Sequence, residues 1–438
     1  MQDTIFALSS AQGRAAVAVI RVSGPAASTA LLAMAGIVPA HREARLRTLR
    51  HPRTTTAIDQ ALVLYFKAPA SETGEDIAEL QVHGGRAVIA MTLDALASIP
   101  GCRMAEPGEF ARRAFHNGKL DLTAAEGLID LIDAETDAQR AQALDQAGGA
   151  LAKLYNGWRH DMIGAQALVE AAIDFADEGD VSTGAVNQAR EVVLTLRQAI
   201  DGHLALANKG EILRSGYQVV LAGAPNAGKS SLLNALAKRD AAIVSDEAGT
   251  TRDVIEVRLD LGGIPVVISD TAGVREATGA IEQEGIRRTL ARAKTADLVI
   301  WLVDATCPIV TLPTEVQPDR CLVIVNKADA AAANMASADL AVSAFTGSGI
   351  DDLSAMIADR ARSAVGPNSQ SAPTQERHRI HLQQTIIHIA AFLSGGDEQL
   401  ELRAEDLRLA ANDLGRLTGR IDPEEVLGQI FGRFCIGK

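Results

Sequence analysis

A chain of 438 residues, 47% hydrophobic and 22% charged, is long enough for two or three domains, each with its own core. Aromatics make up only 3%, so those cores are built mainly from Leu, Val, Ile and Ala, and no apolar run approaches a membrane span. The formal net charge of −13 argues against nonspecific nucleic-acid binding, and the scattered Cys102, Cys307, Cys321 and Cys435 argue against a zinc site or a disulfide framework. With no basic flank before an apolar stretch at the N-terminus, this cysteine usage favours a reducing cytoplasm.

Residues 1–118 read as mixed α and β. Ala16–Val22, Ala61–Phe66 and the alternating Ile77–His83 are strand-like. Gly84-Gly85 breaks the last run, and Ala87–Ser98 reads as a helix. Between the first two strand-like runs, Arg42, Arg45, Arg47, Arg50 and Arg53 are interrupted by one acid, Glu43. That run reads first as a solvated surface segment, with a local RNA-binding patch as the alternative. From 119 to 210 the pattern is helical and rich in Ala and Leu, with Leu128, Leu131 and Ile132 on one face and Leu144 continuing the apolar pattern. Residues 211–372 form a nucleotide domain and end in a polar linker, Pro367–Pro373. Helical periodicity returns over 373–438. Helical segments on both sides predict one split helical domain with the nucleotide domain inserted, its two ends close together.

Gly223-Ala224-Pro225-Asn226-Ala227-Gly228-Lys229-Ser230 fits G-x-x-x-x-G-K-[ST], after a strand-like run Tyr217–Ala222 and before a helical run from Ser231. Its glycines let backbone N–H groups converge on phosphate, Lys229 supplies charge to the terminal phosphates, and the Ser230 hydroxyl can hold Mg²⁺. Asp270-Thr271-Ala272-Gly273 follows the strand Pro265–Ile268, where a carboxylate can hold Mg²⁺ through water and a glycine N–H can meet the γ-phosphate. Asn326-Lys327-Ala328-Asp329 follows the strand Cys321–Val325. The Asp329 carboxylate can accept both N–H groups of a guanine edge, which adenine does not offer, while Asn326 and the Lys327 stem support the ring. Ser343-Ala344-Phe345 ends a further short strand and completes a GTP site with Ser231 at the helix start. Val274 stands where many GTPases carry a water-orienting Gln, so another group must position water. Thr251 is the natural second Mg²⁺ hydroxyl.

These motifs, with Gly249-Thr250-Thr251-Arg252-Asp253, Thr73-Gly74-Glu75-Asp76, His83-Gly84-Gly85, Pro107-Gly108-Glu109-Phe110, Lys119-Leu120-Asp121-Leu122 and the terminal Phe434-Cys435-Ile436-Gly437-Lys438, run the length of the chain. In them the chain resembles the bacterial tRNA-modification GTPase family MnmE (TrmE). The resemblance implies a multidomain α/β and α architecture: an N-terminal α+β tetrahydrofolate-binding and dimerisation domain, a split helical domain and an inserted Ras-like P-loop GTPase domain. It implies a homodimer that works with an FAD-dependent partner, MnmG (GidA), in a heterotetramer or larger complex. Together they attach an aminomethyl-type group to carbon 5 of the wobble uridine (position 34) of certain tRNAs, with a tetrahydrofolate derivative as carbon donor. It further implies GTP contacts along Ser245, Asp246, Glu247, Ala248, Gly249, Thr250 and Thr251. K⁺ is held by Asn226 and by carbonyls of Ser245, Glu247 and Thr250. Glu282, with Glu284 beside it as a competing carboxylate, positions water. Folate contacts fall on Arg21, Glu79, Lys119 and Lys438, and Cys435 has either a thiol role or a packing one.

Two other readings use the same residues. A regulatory or ribosome-assembly GTPase acting on RNA would need no folate site, and a folate-dependent carrier would bind nucleotide without turning it over.

Overall fold

The structure is a computed structural model that describes residues 3–11, 13–174, 179–239, 255–270, 292–307, 312, 316–330, 338–366, 372–395, 399–421, 424–434 and 436–437. The chain divides into two compact units. One comprises Met1–Ile129, Gln146–Gln166 and Leu407–Lys438, the other Asp130–Asp145 and Ala167–Asp406.

In the first unit, β1 (Thr4–Leu8), β2 (Ala15–Ser23), β3 (Arg45–Arg50), β4 (Ala57–Phe66), β5 (Ile77–Gly84) and β6 (Cys102–Met104) form a sheet in the order β3-β4-β5-β2-β1-β6. All pairs are antiparallel except β1 with β6. The alternation read in Ile77–His83 is realised: Leu80 and Val82 are buried, Glu79 and Gln81 half-buried, His83 exposed. Ile20, Val22, Leu49, Val63 and Leu80 pack with Leu31 and Met34 of α1 (Ala27–Ala35) and Leu96 of α2 (Arg86–Ala97). Each such side chain contributes about 1.5–3 kcal/mol by leaving water.

The C-terminal residues close this unit. Phe431 and Phe434 pack with Leu122 and Ala125, and Ile436 bridges Pro107. Gly437 (φ 104°) lies so near β1 that a Cβ would sit 2.1 Å from the Leu8 carbonyl, while Ser9 Oγ donates to the Gly437 carbonyl at 2.8 Å. Beneath α3 (Glu109–His116) the nearly buried Glu109 accepts from Arg103 Nη2 at 2.6 Å and Arg113 Nη2 at 3.0 Å.

The helices that follow are α4 (Leu122–Ile132), α5 (Asp137–Ala147), α6 (Ala150–Asp174), α7 (Gly179–Leu204) and α8 (Ala207–Ser215). Their inner faces differ from the expected leucine pattern. In α4 the buried residues are Leu122, Thr123, Ala124, Ala125, Glu126, Gly127 and Ile129, while Ile132 is exposed. In α5 Leu144 is exposed and Gln139, Gln142 and Gln146 are buried. Gln139 Nε2 donates to the Arg214 carbonyl at 3.0 Å, so an amide, not a leucine, meets the end of a neighbouring helix.

The second unit holds β7 (Tyr217–Gly223), α9 (Lys229–Arg239), β8 (Ile255–Leu261), β9 (Ile264–Asp270), β10 (Leu298–Asp304), β11 (Cys321–Asn326) and β12 (Leu340–Ala341). The sheet order is β12-β11-β10-β7-β9-β8, parallel except for the β8–β9 hairpin. β9 and β11 are buried along their whole length, as a parallel sheet covered on both faces requires. One face packs on α9 and α10 (Ile350–Val365) through Leu232, Leu236, Leu353 and Ile357.

The two ends of this nucleotide-binding segment meet. A Cβ at Gly210 would lie 2.4 Å from the Pro373 carbonyl, and Arg379 pairs with Glu211 at 3.4 Å. Beyond it run α11 (Glu376–Ser394), which packs along α7, then α12 (Leu400–Thr418) and α13 (Glu424–Phe431). His378 is fully buried on the inner face of α11 with Leu382 and Ile389.

Candidate functional site

β7 lies between β9 and β10, so the loop after it opens where the strand order reverses, the place at which open parallel sheets bind ligands. Gly223 (φ 140°) and Gly228 (φ 94°) are required there. A Cβ on the first would sit 2.3 Å from the Leu302 carbonyl, and on the second 2.3 Å from Asn326 Nδ2. Asn226 stands exposed at the loop apex with φ 63°. Lys229 opens α9 and folds back over the loop, its Nζ donating to the Gly223 and Ala224 carbonyls at 3.1 and 3.0 Å. Burial pushes its pKa down, opposed by the Asp270 carboxylate. Ser230 Oγ donates to Asp270 Oδ2 at 2.5 Å, across from the end of β9. A hydroxyl and a carboxylate oxygen thus converge on one point, a donor set that suits a hard cation such as Mg²⁺.

The base side is held to the phosphate side by one residue. Asn326 is buried, and both polar atoms of its amide are engaged: Nδ2 donates to the Ala227 carbonyl at 2.9 Å, and Oδ1 accepts from the Ala344 N–H at 3.1 Å. It therefore braces two loops, in addition to the ring support expected of it from the sequence. Asp329 Oδ1 accepts from Ser343 Oγ at 2.5 Å, and the Ala328 N–H reaches the Val342 carbonyl. Lys327 (φ 64°) pairs with Asp304 at 2.6 Å. Hydrogen bonds from Lys327 and then Thr306 hold the Asp304 carboxyl down at about 2. Phe345 is 91% exposed and, with Ser231, Asn234, Lys238 and Ile350, lines a cavity of about 330 Å³. Asp304 went unread in the sequence, although it ends the apolar run Leu298–Val303 just as Asp270 ends its own strand.

In the first unit Arg21 and Glu79 are direct cross-strand neighbours on β2 and β5. Arg21 Nε meets Glu79 Oε1 at 3.2 Å and its Nη1 meets Glu72 Oε2 at 2.8 Å. Lys119 lies beside Gly74, where a Cβ would be 3.4 Å from its Cγ, and Asn117 Nδ2 donates to the Thr73 carbonyl at 2.7 Å. Arg21, Glu79 and Lys119 therefore gather around the Glu72–Glu75 turn. Glu72 was missed because only the folded chain brings it to Arg21. Ser245, Asp246, Glu247, Ala248, Gly249, Thr250, Thr251, Thr271, Ala272, Gly273, Val274, Glu282, Cys435 and Lys438 lie outside the described residues.

The family description "GTP-binding protein TrmE N-terminus" matches residues 4–119, and "MnmE helical domain" matches residues 122–435. A tRNA modification GTPase MnmE of Parvibaculum lavamentivorans is 53% identical over 441 residues, covering 100% of both chains. Proteins of the same name from Methylobacterium radiotolerans and Rhizobium johnstonii are 50% and 48% identical, each covering 100% of this chain and 99% of their own. Among solved structures, the G domain of the T. maritima FeoB iron transporter covers 33% of this chain and 98% of its own, at 24% identity and a TM-score of 0.25. With half the residues shared across its whole length, the chain belongs to the tRNA modification GTPase MnmE family.

Proposed function

We propose that this protein hydrolyses GTP and uses the resulting conformational cycle to modify carbon 5 of the wobble uridine of tRNA. The observation that carries the reading is the Asn326 brace. It fixes the phosphate loop at Ala227 and the base loop at Ala344 in one arrangement, so that Lys229, Ser230 and Asp270 serve the phosphates of the nucleotide whose base Asp329 reads. Lys229 exchanges its two carbonyl bonds for phosphate oxygens. Asp329 is already oriented by Ser343 and accepts from the guanine edge. Ser230 and Asp270 supply oxygen donors for Mg²⁺, with Thr251 as the second hydroxyl. Bound Mg²⁺ and K⁺ supply the positive charge that phosphoryl transfer develops a need for between the phosphates. Asn226 offers its amide to K⁺ at the loop apex, joined by carbonyls of Ser245, Glu247 and Thr250, and Glu282 positions water in place of Val274.

The domain order follows the same reading: 1–118 binds folate and dimerises, 119–210 and 373–438 form the helical domain, and 211–372 is the GTPase. Arg21, Glu79, Lys119 and Lys438 hold a tetrahydrofolate derivative. Glu79, fixed by Arg21, suits the amidine-like edge of a pterin, and Arg21 and Lys119 suit its acidic tail. Two copies act with the FAD-dependent MnmG (GidA) on tRNA.

Steady-state GTP turnover in matched K⁺ and Na⁺ buffers tests the catalytic half. Fast turnover in K⁺, slow turnover in Na⁺ and loss of both in Ser230→Ala are expected. Equal rates in the two salts reject the cation role, and no turnover in either rejects the hydrolase.

A further inference from the structure

The arginine run of the sequence becomes a defined surface. β3 is an edge strand paired only with β4, and five of its six residues are exposed. Arg45 and Arg47 stand on one side of it, two residues apart, or about 7 Å along the strand. Arg42, at φ 64°, precedes the strand, while Arg50 ends it and Arg53 follows in the next turn. Little of this charge is neutralised. Arg45 pairs with the exposed Glu43, but Arg47 Nη1 reaches only the Leu46 carbonyl at 3.3 Å, Arg50 Nη1 the Thr55 carbonyl at 3.1 Å, and Arg53 Nη2 the Ser98 carbonyl at 3.1 Å. Two further carboxylates bond to histidines and not to these arginines: Asp59, opposite Leu49, meets His83, and Asp94 meets His51. Five guanidinium groups against one acid, within a chain of net charge −13, make a local concentration of positive charge that the composition as a whole hides.

We propose that this edge of the N-terminal sheet docks RNA, through contacts of Arg45, Arg47 and Arg50 with the phosphodiester backbone. A polyanion is the occupant that charge complementarity selects. Exposed arginines on long side chains can follow phosphates without reading sequence, and each contact releases condensed counterions. A second copy of the chain is disfavoured, because pairing β3 with its own copy sets arginine rows against each other. The inference rests on the tRNA reading above.

The test is binding of an in vitro transcribed tRNA to the full-length protein, measured by anisotropy across a salt series. The variants are Arg45→Ala/Arg47→Ala/Arg50→Ala and a control of equal charge change, Arg140→Ala/Arg197→Ala/Arg362→Ala. The β3 variant is expected to weaken binding at least about tenfold near 0.1 M salt and to lower the slope of log K against log salt by about 2–3, near one per lost phosphate contact. The control should move affinity by less than about threefold, and GTP turnover should be unchanged in both. Equal losses in the two variants overturn the proposal in favour of net charge. Unchanged affinity overturns it too, and aggregation of the β3 variant would then mark the arginines as guards of an unpaired edge. Loss of binding together with dissociation of the protein's own oligomer also overturns it. A wild-type protein with no tRNA affinity rejects the function reading itself, whereas wild-type binding with an unaltered β3 variant rejects only this surface.

Discussion

Single residues of the nucleotide site carry distinct loads. Asp329→Asn replaces a carboxylate poised to accept two N–H bonds by an amide, at an expected cost of about 1.5–3 kcal/mol in GTP affinity. Calorimetric titration measures it directly, and unchanged affinity would mean the base is read elsewhere. Asn326→Ala acts differently. It strands the Ala227 carbonyl and the Ala344 N–H, so about 1–3 kcal/mol of stability should be lost in thermal unfolding of the nucleotide-free protein. A variant that binds GTP poorly but unfolds like wild type would show that Asn326 contacts ligand instead of bracing loops. Lys229, Ser230, Asp270 and Asp329 were legible in the sequence as candidates because the proposed phosphate, Mg²⁺ and guanine contacts each demand such residue types at fixed spacing. The brace was not, since Asn326 meets Ala227 across 99 residues of chain and no local pattern encodes that contact. Glu72 beside Arg21 is hidden for the same reason.

At the scale of elements, the strands were readable and the helices partly so. β5 alternates cleanly because one of its faces is packed. α4 and α5 mislead because their inner faces use alanine and glutamine, leaving Leu144 and Ile132 outside. The docking of α3 on the C-terminal segment depends on Gly108 (φ 67°), where a Cβ would sit 2.1 Å from the Phe431 carbonyl. Gly108→Ala should therefore loosen the C-terminal residues, read as faster amide exchange at Phe431–Phe434 with exchange in β7–β11 unchanged.

Glu109 ties the same helix to the strands. Burial raises its carboxyl, but hydrogen bonds from Arg103, the Glu106 N–H and Arg113 outweigh that and hold it at about 2. A folded pKa below the ordinary 4.5 gives stability that is complete above pH ~4.5 and lost as pH falls toward 2. Glu109→Gln should cost about 1.5–3 kcal/mol at neutral pH, because an amide replaces the carboxylate that accepts from Arg103 and Arg113 while Arg113 keeps Asp3 and Glu75, and should flatten the pH dependence in that window. Trp158 fluorescence in a Trp301→Phe background follows this unit. An unaltered acid profile would remove Glu109 as its cause.

At the scale of the whole molecule, GTP hydrolysis has to be felt outside the nucleotide site. The segment leaves the helices at Glu211 and returns near Pro373 at a single place, so movement there is passed on through two adjoining strands of chain. If the switch residues 245–253 close over phosphate, Mg²⁺ and K⁺, two such segments in a dimer can pair about a two-fold axis and part after hydrolysis. Labels on the two GTPase segments should report a shorter separation with a transition-state mimic in K⁺ than with GDP. An identical distance distribution in both states would sever GTP from the modification, whatever the turnover rate.

The most direct measurement is nucleoside analysis of tRNA from cells lacking this protein, complemented by wild type or by Ser230→Ala. The expected result is loss of the carbon-5 modification from wobble uridines, restored by wild type and not by the variant. Wobble uridines that stay modified without the protein, or that Ser230→Ala restores in full, would contradict a GTP-driven role in their modification.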